Sequence, residues 1–152
     1  MSVAPIRIRV ATTAPLPKAF AVFTSRMGDW WPQGRTIGAK PHVAIVIEPH
    51  DGGRWFERDA EGTETLWGEV IAYEPPHRLL LAWRLDAKFT YDPDLLTEVE
   101  LTFTATDTGG AAVTLEHRNL ERLGVDAARL AGRMEGGWGG FLREFISLAD
   151  TA

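Results

Sequence analysis

Between His42 and Arg118 the chain is broken by sharp reversals at His50-Asp51-Gly52-Gly53, Ala60-Glu61-Gly62, Pro75-Pro76 and Asp107 to Gly110. Glycine-rich pairs of this kind favour tight hairpins, and proline stops a strand. The segments between them are short and apolar or alternating: "HVAIVIEP", "RWFERD", "TLWGEVIAYE", "HRLLLAWRL", "TEVELTFTAT" and "AAVTLEHR". Strands joined by such short turns can only run antiparallel, because parallel neighbours need long crossovers. With "IRIRVATT" at the start, where Ile6, Ile8 and Val10 share one face, seven strands are expected.

Two stretches have a different period. After the first strand, Pro15 and Pro17 stand where a helix can begin, and Ala19, Phe20 and Phe23 form its apolar face. This helix should fray near Gly28, and Trp30-Trp31-Pro32 opens a loop. From Val125 onward, Leu130, Met134, Trp138, Phe141, Phe145 and Leu148 recur every three or four residues, with Leu142 beside them and Asp126 as a plausible N-cap. The fold class is therefore α+β: strand, short helix, six strands, long helix, in one domain spanning residues 1–152.

Inside that last helix "EGGWGGF" places four glycines around Trp138, each costing roughly 0.5–1 kcal/mol relative to alanine. At about 100° per residue, Trp138 lies in the core stripe, Gly136, Gly139 and Gly140 lie mainly behind it, and Gly137 lies on its flank. Three readings stay open: a kinked or frayed helix, a close approach by a second backbone along Gly136 and Gly140 that would make a homodimer, or a weakened turn over a cavity.

Composition excludes more chemistry than it suggests. There is no cysteine, so disulfides, thiolate catalysis and cysteine–zinc sites are ruled out. The three serines occupy no nucleophile elbow, and the histidines His42, His50, His77 and His117 show no ligand spacing, so no metal is expected. The glycine cluster is not a dinucleotide fingerprint and there is no P-loop, so no cofactor is expected. A net charge of −5 without basic runs disfavours nucleic acid and anionic membranes, and the absence of an apolar leader makes a cytoplasmic location the expectation.

His117 falls on the inward face with Val113 and Leu115, as a backbone-bonded or solvated histidine or as a polar handle in a cavity. Glu57 and Glu69 read as outer-face charges, and Arg54, Arg84 and Arg118 as surface. Six tryptophans is a high count for 152 residues. Of these, Trp83 faces inward with Leu79 and Leu81. Phe89, Tyr91, Leu95 and Leu96 sit in a longer connection, folded down as a lid or exposed for a partner.

The segments "AFAVFTSRMGDWWP", "GGRWFERDAEGTETLWGEVIAYEPPHRLLLAWR", "TEVELTFTATDTGGAAVTLEHRNLE" and "GGWGGFLREF" resemble the homologues of the heat-shock-protein-90 ATPase activator. That family belongs to the START-related helix-grip superfamily, also called SRPBCC. The resemblance implies a curved antiparallel sheet gripping a long C-terminal helix, with a cavity between them. Related branches bind lipids, hormones or polyketides, and some catalyse cyclisation or hydration there. The eukaryotic activator carries a separate N-terminal chaperone-binding domain for which this chain has no room, so stimulation of the chaperone ATPase is not expected.

These expectations converge on a helix-grip domain that takes an apolar or aromatic small molecule into an internal cavity. Alternation and the helix stripe nominate Trp83, Leu101, Phe103, His117, Met134, Trp138 and Phe141 as lining, with Trp30 and Trp31 at the rim. Two other classes stand beside this: a cyclase- or hydrolase-like enzyme using His117 as acid–base group, and a co-chaperone-like protein-interaction module.

Overall fold

The structure is a computed structural model that describes residues 3–151. Seven antiparallel strands form one sheet in the order β1-β7-β6-β5-β4-β3-β2. They are β1 Ile6–Thr12, β2 His42–Ile47, β3 Arg54–Asp59, β4 Glu64–Glu74, β5 Arg78–Trp83, β6 Thr97–Ala105 and β7 Ala111–Arg118. The strands that follow one another from β2 to β7 are neighbours, as the short turns require. β1 and β2 stand at opposite edges, so the segment between them crosses the whole concave side. That crossing carries helix α1 (Leu16–Ser25), a single turn α2 (Met27–Trp30) and a loop to residue 41. The expected fraying near Gly28 is replaced by α2. A side chain at Gly28 would stand 2.7 Å from the backbone nitrogen of Ile45, so glycine lets α2 lie directly on β2.

Helix α3 (Ala127–Thr151) runs unbroken through the four glycines. Among the described residues no helix is long and apolar enough to cross a membrane. The far end of α3 is pinned to the end of β1: the Asp150 carboxylate accepts from Thr12 Oγ1 at 2.5 Å and from the Thr13 amide at 3.0 Å.

Period-two alternation fixes the inner face. Leu79, Leu81, Val99, Leu101, Phe103, Val113, Leu115 and His117 are all fully buried there. The outer face carries charge ladders: Arg118 reaches Glu98, Glu100 and Glu116, Arg78 reaches Glu100, and Arg7 reaches Glu116. Helix α1 covers the β6 side, with Phe20 and Phe23 edge-on to Phe103. The buried residues of α3 are Ala127, Leu130, Ala131, Trp138, Leu142, Phe145 and Ala149. Leu142 is therefore central, while Met134, Phe141 and Leu148 are only half buried at the flank. The apolar arc is wider than a core stripe because one side of it packs on the sheet and the other borders a cavity.

Candidate functional site

Beneath Trp138 lies a buried polar chain. The Thr97 hydroxyl donates to the Trp83 carbonyl at 3.1 Å and accepts from His117 Nε2, 2.8 Å away. His117 Nδ1 accepts from the Trp138 indole N–H at 3.2 Å. An indole N–H can only donate. The hydroxyl hydrogen is already given to a carbonyl, so the ring is neutral with its proton on Nε2. Burial pushes the His117 pKa down to about 3. This histidine is 0% exposed and both its nitrogens are occupied, so it ties α3 to strands β5, β6 and β7.

Beside that chain a cavity of about 880 Å³ opens between the flank of α3 and two loops. One wall is Leu130, Arg133, Met134, Gly136, Gly137, Trp138, Gly140, Phe141, Arg143 and Glu144 of α3. Opposite are Trp31, Pro32, Gly34, Arg35, Thr36 and Ile37 of the crossing loop and Leu85, Ala87 and Phe89, with Trp67 and Trp83 of the sheet as the floor. Its aromatic groups are already in mutual contact: Trp31 lies 4.4 Å from Phe141, 5.0 Å from Trp67 and 5.7 Å from Trp138, centroid to centroid.

Of the residues nominated from sequence, Trp31, Trp83, Met134, Trp138 and Phe141 border this space. Leu101, Phe103 and His117 lie in the closed core, where α1 and Trp138 cover them. Trp30 is also interior, donating to the Val22 carbonyl at 3.2 Å and packing on Phe23 and Phe145.

The glycine cluster has a place in this geometry. Gly136, Gly137 and Gly140 belong to the cavity wall. A Cβ at Gly136 would meet nothing within 4 Å. A Cβ at Gly140 would lie 3.6 Å from the guanidinium of Arg143, which folds back over the helix there. Bare backbone thus widens the space beside Trp138.

Glu57 differs from its sequence reading as an outer-face charge. It is 2% exposed, because Trp55 and Glu57 share the inward face of β3 while Phe56 points out beneath Arg54. Its Oε1 accepts from the Trp67 indole and from the Ile37 amide, both at 2.8 Å. A side chain at Gly38 would come within 2.6 Å of Glu57 Oε2, so glycine there lets the loop backbone close onto the carboxylate. Glu57 thereby fixes both the floor and one wall. Glu69 pairs with Arg84, whose guanidinium also donates to the carbonyls of Pro93 and Leu95 and so holds the β5–β6 connection down.

Phe89 sits at the tip of that connection with φ 57°, a conformation unfavourable for a bulky side chain. The Asp86 carboxylate imposes it by accepting from the amides of Lys88 at 2.8 Å and Thr90 at 3.0 Å. The Phe89 ring is left 49% exposed at the cavity mouth. Among the described residues no cluster of His, Asp and Glu is arranged to hold a metal ion.

Sequence reasoning did not nominate Trp67, Ile37, Leu85, Phe89 or the arginines as lining. Trp67 was within reach of alternation, but the register shifts between Trp55 and Phe56, opposite Gly68 and Leu66, obscure the face it takes. The loop residues follow no period at all.

Many solved structures share this architecture. The anthrahydroquino-gamma-pyrone synthase Txn09 is 35% identical, with 96% of this chain and 97% of that one covered and a TM-score of 0.67. The self-sacrificing resistance protein CalC from Micromonospora echinospora is 29% identical over 97% of this chain and 94% of its own, with a TM-score of 0.74. Protein MLL2253 from Mesorhizobium loti, 23% identical over 96% of both chains with a TM-score of 0.70, shares the fold. No curated protein sequence matches. Residues 13–150 match the family described as Activator of Hsp90 ATPase homolog 1-like protein. With its sheet wrapped on a long C-terminal helix, the chain belongs to that family, within the helix-grip SRPBCC superfamily.

Proposed function

We propose that this protein binds a planar, polycyclic aromatic small molecule in the cavity beside α3. The observation that carries this is the wall itself: Met134, Phe141 and Phe89 are open to a space of about 880 Å³, backed by the packed rings of Trp31, Trp67, Trp83 and Trp138. Ligand sites commonly enclose about 300–1,000 Å³ and combine apolar and aromatic walls with a few polar groups. Rigid aromatic surfaces gain most from a flat, aromatic partner. The 35% identity to a synthase named for an anthrahydroquinone-pyrone product supports a ligand of the same shape.

Catalysis by His117 has no support in this geometry, since the ring is sealed behind Trp138 with both nitrogens engaged. Binding is therefore the activity proposed. Native mass spectrometry of protein purified from its own host tests it. A retained small molecule that is released on denaturation and absorbs as an extended aromatic supports the reading. Binding of a saturated lipid instead, with no aromatic ligand captured, would overturn it.

A further inference from the structure

The chain has thirteen arginines and a net charge of −5, so carboxylates are plentiful. Nine of the arginines hold a carboxylate or a carbonyl: Arg7, Arg26, Arg54, Arg58, Arg78, Arg84, Arg118, Arg122 and Arg129. Among the described residues, four guanidinium groups have no such partner: Arg9, Arg35, Arg133 and Arg143. Arg9 lies on the outer face of β1. The other three all line the cavity. Glu144 is the one carboxylate among the lining residues, and it makes no ion pair with any of them.

The three come from two walls. Arg133 and Arg143 are ten residues apart on α3, about 15 Å along its axis. They therefore bracket Gly136, Gly137 and Trp138. Arg35 stands on the opposing loop, whose backbone is held because the Trp31 indole donates to the Arg35 carbonyl at 3.0 Å. Glycine at 139 and 140 leaves room for the Arg143 guanidinium to lie along the helix at the mouth. An aromatic floor with unpaired guanidinium groups around its edge is complementary to a flat molecule bearing negative oxygen at its periphery.

We infer that the ligand of this cavity is an aromatic anion, a polycycle carrying a carboxylate, phenolate or enolate, and that Arg35, Arg133 and Arg143 select for that charge. The inference rests on the proposed cavity binding and adds the chemical class of the ligand. The apolar ring frame lies along the α3 wall of the cavity, against Met134 and Phe141, and the oxygen anion stays at the mouth, where guanidinium groups reach it and water still solvates it.

Two probes with one ring framework separate the charge from the frame: 1-anilinonaphthalene-8-sulfonate and its uncharged analogue N-phenyl-1-naphthylamine. The sulfonate stands in for the oxygen anion. Each is titrated into the full chain at low ionic strength, and the ratio of the two affinities is the readout, with circular dichroism confirming that every variant is folded. Wild-type protein should favour the anion by about tenfold, the sum of several solvent-exposed charge contacts. The ratio should fall toward one in the triple variant Arg35→Gln, Arg133→Gln, Arg143→Gln and at high salt, while Arg9→Gln keeps it. Equal affinities in the wild type, or a preference that survives the triple substitution, would overturn the charge assignment while leaving cavity binding standing. If neither probe binds, the cavity reading fails and this inference fails with it.

Discussion

Acidification should weaken this fold through His117 before the carboxylates contribute. The folded-state pKa of His117 is lowered by burial to about 3, against an unfolded value of 6.5. Between those two values the unfolded chain binds a proton that the folded chain does not. Stability then rises with pH across this window and levels off above it, with a limiting slope of about 1.4 kcal/mol per pH unit. From pH 7 to pH 5 the loss amounts to about 2 kcal/mol. Carboxylates held low in the folded state, such as Glu100 by Arg78 and Arg118, add their own losses at more acidic pH. The assay is urea unfolding at pH 7, 6 and 5 on the wild type and on His117→Gln. That amide can still offer a donor toward Thr97 and an acceptor toward Trp138, but it does not titrate. The wild-type curve should fall by about 2 kcal/mol more than the variant over this range. Parallel curves would show that His117 titrates normally and that the sealed Thr97–His117–Trp138 chain is wrong.

Three further outcomes follow from the same geometry. Trp138→Phe keeps an aromatic ring but leaves His117 Nδ1 without a donor, so unfolding should show a loss of about 1–3 kcal/mol beyond the lost ring volume. Gly136→Ala should stabilise the protein by about 0.5–1 kcal/mol in thermal or urea unfolding, since the added methyl group meets nothing and the helix gains propensity; a loss would mean that the helix is not regular there. Glu57→Leu leaves the Trp67 indole and the Ile37 amide unpaired and should cost about 1–3 kcal/mol, whereas Glu57→Gln keeps an acceptor and should cost less, with equal losses refuting the latch.

How much of this could be read from the sequence depended on periodicity. The seven strands and their order of turns are legible because glycine and proline mark the reversals and Val99, Leu101 and Phe103 alternate cleanly with polar neighbours. The position of Trp138 follows from the helical period for the same reason. His117 is inward by alternation, but alternation separates only two faces of a strand. It does not say whether the inner face meets a helix, a side-chain network or open space. Glu57 shows the same limit from the other side: a carboxylate reads as solvated until its two donors, one of them from a loop twenty residues away, are brought to it. The walls made by the crossing loop and by Phe89 carry no period, and only the sheet order, which sends the β1–β2 connection across the concave side, puts them opposite α3.

The cavity beside α3 is tested most directly by following the six indole N–H resonances during titration with 1-anilinonaphthalene-8-sulfonate. Trp31, Trp67, Trp83 and Trp138 border the space, while Trp30 and Trp55 do not line it. The account predicts large, saturable shifts for the first four and small ones for Trp30 and Trp55. Shifts greatest at Trp30, or uniform small changes at all six with no saturation, would contradict it.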